Sequence, residues 1–125
     1  MKKIINTNKA PKAVGPYSQA VEANGMIFIS GQIPVDPATG KIVEGGVAEQ
    51  TEQVLKNMGA ILNEAGLSFA NVVKTTCLLD NMDNFVPMNE VYGTYFTEQM
   101  PARAAYAVVK LPLGVMVEIE AIAVR

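Results

Sequence analysis

The chain has 125 residues, half of them hydrophobic and 18% charged, with a formal net charge of -2; this suits one packed domain over residues 1–125 and excludes a disordered chain. A single cysteine and no histidine exclude an internal disulfide, the usual zinc sites, histidine-based triads and imidazole bases. No apolar run approaches the roughly 18 residues of a membrane span, no apolar stretch follows Lys2 and Lys3 as in a secretory signal, and beyond the first dozen residues Lys and Arg are too scattered to neutralise a row of phosphates. The expectation is a soluble cytoplasmic protein whose partners include neither nucleic acid nor membrane.

In chain order, "KIIN" (Lys3–Asn6) reads as a short edge strand and "APKAVGP" as an extended loop. "YSQAVEANGMIFISG" holds two β-prone runs joined by Asn24-Gly25, a hairpin signal because both central turn residues need positive φ. "QIPVDPATGKIVEGG" is turn chemistry throughout and predicts no regular element. From Val47 the period becomes helical: Val47, Thr51, Val54, Leu55, Met58, Ile61, Leu62 and Ala65 recur on one face, and Gly66 supplies the stop.

"NVVKTTCLL" (Asn71–Leu79) is β-branched and predicts a central strand. "DNMDNFVPMNEVYGTYF" predicts a second helix with Phe85, Met88, Val91, Tyr92, Tyr95 and Phe96 on one face. Asn81 or Asp83 is placed to cap it, and Pro87 is tolerated only near its first turns. Two more strands follow, about Ala104–Val109 and Val115–Val124, around the loop "LPLG". The order β-ββ-α-β-α-ββ is that of an α+β sandwich. Two helices cover only one face of such a sheet, yet "MIFIS", "VVKTTCLL" and "AAYAVV" are apolar on both alternating faces. A sheet with one watered face alternates instead, so the uncovered face is expected to bury against other copies.

The charges near the C-terminus are the candidates for chemistry. Arg103 is the only arginine before the terminal Arg125, and small residues follow it. Strand alternation puts Arg103, Ala105 and Ala107 on one face, and Glu118 and Glu120 together on one face of the last strand. Two readings stand for Arg103: a structural ion pair, or a clamp whose planar fork holds a ligand carboxylate in two parallel hydrogen bonds. By alternation alone the glutamates read as the solvated face of an edge strand, and nothing separates one from the other. With "LPLG" as a tight loop, Arg103 pairs with Ile122, and Glu118 lies roughly 13 Å away along the strand. Sharing a small ligand then requires a bulge, another register or a neighbouring subunit.

"GPYSQAV" (Gly15–Val21), "ISGQIPVDPATG" (Ile29–Gly40), "MNEVY" (Met88–Tyr92), "PAR" (Pro101–Arg103) and "VEIEAIAV" (Val117–Val124) resemble the Rid family, the reactive-intermediate deaminases also called YjgF or UK-type ribonuclease. The resemblance runs nearly end to end. It implies a chorismate-mutase-like α+β sandwich, with a mainly antiparallel sheet of about six strands and two helices on one face. It further implies a homotrimer with sites between subunits, and hydrolysis of 2-imino or 2-enamino acids, such as 2-iminobutanoate and 2-iminopropanoate, to 2-oxo acids and ammonia.

On the same resemblance, Arg103 holds the substrate carboxylate and Glu118 is associated with the attacking water, while Tyr17, Ser30, Gly31 and Asn89 line the cleft. Read by themselves, without the resemblance, Tyr17 is a core ring, Ser30-Gly31 a strand-end turn and Asn89 an exposed helix residue. Backbone N–H groups near Ala105 are candidates to extend the carboxylate site. An iminium carbon is already electrophilic, so orientation and modest proton handling suffice, with no metal or other cofactor. Many family members carry cysteine two residues after the arginine; here that residue is Ala105, so no thiol mechanism applies at this position. Cys77, in a predicted central strand, reads as a buried small hydrophobe. The alternative is a non-catalytic trimer that binds small carboxylates in the same cleft. RNA cleavage, also attached to the family, is disfavoured by the acidic pI of about 5.1.

Overall fold

A computed structural model describes residues 1–125. Asn24 and Gly25 adopt φ of 53° and 76°, the left-handed values that a two-residue hairpin turn needs. They join β2 (Ala20–Ala23) to β3 (Met26–Gln32) in antiparallel register, Ala23 opposite Met26. The short β1 (Lys3–Ile5) pairs with β2 at the sheet edge. The long turn-rich stretch was expected to hold no regular element, but a short hairpin with strands of two residues forms there: β4 (Val35–Asp36) pairs with β5 (Lys41–Ile42). The turn residues themselves close it. The Asp36 side chain accepts from the Ala38 N–H at 2.9 Å, and Gly40, at φ 74°, donates to the Asp36 carbonyl at 2.8 Å.

Helix α1 (Val47–Glu64) follows the period read from the sequence. Its buried stripe is Val47, Thr51, Val54, Leu55, Met58, Ile61 and Leu62, and Gly66 at φ 76° ends it. The Glu49 carboxylate reaches back to the Gly46 N–H at 2.7 Å and satisfies one of the free donors of the first turn. Val54, Leu55, Met58, Ile61 and Leu62 are fully buried, each contributing about 1.5–3 kcal/mol by leaving water. They pack onto the sheet residues Ile27, Ile29, Val117, Ile119, Cys77 and Leu79 in one core.

After β6 (Val72–Leu79) the chain makes a 3₁₀ turn capped by Asn81, whose side chain accepts from the Asp83 N–H at 2.8 Å. Helix α2 (Phe85–Tyr95) follows, with Pro87 in its first turn. It leads to β7 (Ala102–Ala107), which lies parallel to β6 with Arg103 opposite Thr75. A helix is the connection that a parallel pair requires.

The last strand corrects the expected pairing. β7 and β8 (Val117–Val124) are not neighbours, because the strand order is β1-β2-β3-β8-β6-β7. β8 inserts between β3 and β6, where its apolar residues are covered by helix on one side, and β7 is left at the edge. Arg103 therefore does not pair with Ile122; Lys74 does. The six-stranded sheet is antiparallel except for β6 and β7, and both helices lie on one face. The other face carries Phe28, Lys74, Thr76, Leu78, Tyr106, Glu118, Glu120 and Ile122, with Phe28 and Tyr106 43% and 50% exposed. No helix is long and apolar enough to cross a membrane.

Candidate functional site

The seven candidate residues fall into two groups. The first surrounds Arg103. It leaves edge strand β7 on the helix-covered face, because its register partner Thr75 is buried beneath α2. Nη1 donates to the Asn89 side-chain carbonyl at 2.6 Å, and the guanidinium lies over the rings of Tyr92 (4.8 Å to the centroid) and Phe85 (5.4 Å). Asn89, Tyr92, Phe96, Met100 and Arg103 line a cleft of about 450 Å³. Ala105, two residues along β7 on the same face, sits opposite Cys77.

Arg103 has no acidic partner. The one ion pair of the chain joins Arg125 to Glu22 at 2.7 Å, between the C-terminus and β2. Within one chain the structural-ion-pair reading of Arg103 finds no partner, and the guanidinium is an exposed, oriented fork with free donors.

The second group surrounds Glu118. Its partner Leu78 lies on the uncovered face, so Glu118 and Arg103 occupy opposite faces of the sheet. With two strand spacings between them and an offset of three residues, their backbones are roughly 14 Å apart. A β-bulge between Ile29 and Gln32 brings Gly31 under the Glu118 side chain, closely enough that a Cβ on residue 31 would collide with the carboxylate. Ser30 donates its hydroxyl to the Ser18 carbonyl at 2.6 Å, and its N–H to the Gln19 carbonyl at 2.9 Å. Burial, reinforced by the nearby charge of Glu120, raises the Glu118 pKa above the ordinary glutamate value.

Tyr17 is 54% exposed, so it is not a core ring. It shares a cleft of about 570 Å³ with Lys12, Val14, Gly31 and Leu113. The Tyr17 hydroxyl accepts weakly from the Val14 N–H at 3.4 Å. Buried Gln19 fixes the loop that walls this cleft: its side chain accepts from the Thr7 N–H at 2.8 Å and donates to the Thr7 and Pro11 carbonyls, each at 2.9 Å. Sequence reading missed Gln19, and it also took Phe85 and Tyr92 as plain core. The available signal was the spacing of Phe85, Asn89 and Tyr92 at i, i+4 and i+7, one stripe of α2. No cluster of His, Cys, Asp or Glu is arranged to hold a metal ion.

The family profile described as endoribonuclease L-PSP matches residues 7–125. The chain belongs to this family, the Rid or YjgF family. Among its Rid relatives, a mouse protein named 2-iminobutanoate/2-iminopropanoate deaminase is 57% identical over 125 residues, which cover all of this chain and 93% of the mouse protein. The human protein of the same name is 54% identical over 125 residues, all of this chain and 91% of its own. Among solved structures, that of Escherichia coli TdcF with bound serine superposes with a TM-score of 0.94 at 45% identity, covering 98% of each chain. The sandwich expected from the Rid resemblance is thus the observed one.

Proposed function

We propose that this protein hydrolyses 2-imino and 2-enamino acids, such as 2-iminobutanoate and 2-iminopropanoate, to 2-oxo acids and ammonia. The observation that carries the reading is Arg103: a guanidinium held in place by Asn89, without a carboxylate partner in its own chain, lining a cleft. It suits the carboxylate that every such substrate carries, and the relatives named as deaminases are more than half identical over the whole chain. The serine bound to TdcF is a small amino acid of the same frame.

In this reaction Arg103 binds the substrate carboxylate through its fork, with main-chain groups near Ala105 beside it, and so places C2. Glu118 accepts a proton from water as the water oxygen bonds to C2 and the C=N π electrons move to nitrogen. The carbinolamine so formed takes that proton back from Glu118 on its amine; the C–N bond then breaks and ammonia leaves, and the hydroxyl proton passes to Glu118 as C2 becomes the carbonyl of the 2-oxo acid. The raised pKa of Glu118 suits a group that takes and returns a proton. Tyr17, Ser30 and Gly31 shape the floor on the Glu118 side.

Arg103 and Glu118 face away from each other within one chain, so their cooperation needs a second copy. The assembly proposed is a homotrimer in which the β7 edge of one subunit meets the Glu118 face of the next. That arrangement also covers the apolar residues Phe28 and Tyr106 of the open face.

The test couples a serine or threonine dehydratase to this protein and follows 2-oxo acid formation while semicarbazide competes for the free imine. Acceleration over buffer is the expected result. If 2-oxobutanoate binds and no acceleration is seen, the protein is a carboxylate-binding trimer and the hydrolase reading fails.

A further inference from the structure

Thr75 and Tyr92 form a buried hydroxyl pair at 2.7 Å, and neither residue belongs to the reaction drawn above. Thr75 is fully buried and Tyr92 is 6% exposed. Thr75 stands directly beside Arg103 on the neighbouring strand. The Tyr92 ring is fixed a second time by stacking on Phe96, with centroids 4.4 Å apart and planes 29° from parallel. Held at its hydroxyl and over one face, the ring presents its π surface to the Arg103 guanidinium at 4.8 Å. Phe85 and Asn89 complete a three-residue stripe of α2 beneath the same side chain.

We propose that Tyr92, locked by Thr75, is a positioning residue that holds the Arg103 fork ready for a carboxylate. The proposal rests on the reading of Arg103 as the substrate clamp. An arginine side chain on an edge strand otherwise samples many rotamers, and binding must then pay for ordering it. Attraction to the ring faces restrains the guanidinium without using its N–H donors, and Asn89 occupies only one nitrogen. The remaining donors stay directed at the cleft. An acidic residue in place of this cradle would restrain the arginine equally well but would compete with the substrate. Aromatic faces and a neutral amide do not.

The Thr75 bond matters because it sets the tilt of the ring. Tyr92→Phe and Thr75→Val each remove the same hydrogen bond and keep the shape, so their effects are not additive. Each is expected to weaken 2-oxobutanoate binding about threefold, the double variant no more than either one, and Tyr92→Leu on the order of tenfold. The clamp engages the carboxylate in the ground state and the transition state alike, so the loss appears in KM while kcat changes less than about twofold. In an Arg103→Met background, Tyr92→Leu is expected to add nothing.

A second measurement needs no ligand. The chain has only two arginines, Arg103 and Arg125, so its Nε–H spectrum holds two signals, assigned by Arg103→Met. The Arg103 signal is expected to be displaced by the ring currents of Tyr92 and Phe85 and to move towards a solvent-exposed position in Tyr92→Leu. An unmoved signal overturns the proposal. So does a binding effect of Tyr92→Leu that persists undiminished in the Arg103→Met background. Where Tyr92→Leu does not fold, the same signal in Tyr92→Phe and Thr75→Val decides. An inactive wild-type protein overturns the deaminase reading alone, because the Arg103 signal reports the cradle whether or not an imine is hydrolysed.

Discussion

Gly31 lies directly beneath the carboxylate of Glu118: a Cβ on residue 31 would overlap Oε2 and come within 2.9 Å of Cδ. The glycine is required here for space, since its φ is not among the positive values of the chain. The obstructing atoms are the far end of a flexible side chain, so an added methyl moves the carboxylate rather than the fold. Gly31→Ala is expected to lower kcat/KM by roughly tenfold or more through misplacement of the base, with a melting temperature close to that of the wild type. Steady-state kinetics and a thermal melt on the same sample check this, and a fully active Gly31→Ala would show that Glu118 need not hold this position.

With Glu118 as the proposed base, its titration is expected to set the acid side of the pH profile. Burial is the larger cause of its raised pKa and the charge of Glu120 the smaller. The base must be deprotonated, so kcat/KM is expected to fall on the acid side at a pH above the ordinary glutamate range. Glu120→Gln removes the like charge and moves that limb to lower pH. The sign for stability is opposite to that of a salt-bridged acid. With the folded pKa above the unfolded one, the contribution of Glu118 is present at low pH and lost as pH rises through the folded pKa. Glu118→Gln is therefore expected to melt at or above the wild-type temperature at neutral pH while losing roughly 10²–10⁴-fold in rate. A Glu118→Gln that melts lower at neutral pH contradicts this sign.

How far the sequence disclosed these features depends on the range of the interactions. Helix α1 was legible to its last turn because an amphipathic stripe and Gly66 are both local signals. The β2-β3 turn was legible for the same reason, in Asn24-Gly25. The partners of β7 and β8 were not. Adjacent strands with a short loop between them read as a hairpin, and only the sheet order shows β8 entering between β3 and β6. Alternation assigned Arg103 and Glu118 to faces of their own strands, but which face α2 covers is non-local information. The cradle of Arg103 stayed hidden in the same way, since Phe85 and Tyr92 carry a core signature until β7 is placed against them.

Cys77 is expected to be silent. It is fully buried, opposite Ala105, and burial pushes its thiol up to about 11 even with Arg103 nearby pulling the other way. The thiolate is the reactive form, so alkylating reagents should modify the native protein slowly and completely only in denaturant. Cys77→Ala is expected to cost about 1 kcal/mol of stability through lost packing and to keep its deaminase rate within about twofold. Rapid loss of activity on alkylation of the folded protein would give the thiol a role at the site.

The opposite-face placement of Arg103 and Glu118 is open to a complementation test. Arg103→Met and Glu118→Gln are each expected to be nearly inactive alone. If every site takes its arginine from one subunit and its glutamate from the next, mixed trimers contain some sites with both groups intact. For equal amounts of the two variants, refolded together so that subunits combine at random, an intact site needs the Glu118→Gln chain in one position and the Arg103→Met chain in the other. Each choice has a chance of one half, so about a quarter of wild-type activity should return. A site built within one subunit returns none, since no chain in the mixture carries both residues. Mixing the folded variants without exchange is the control: recovery that appears only after co-refolding assigns the two residues to different subunits.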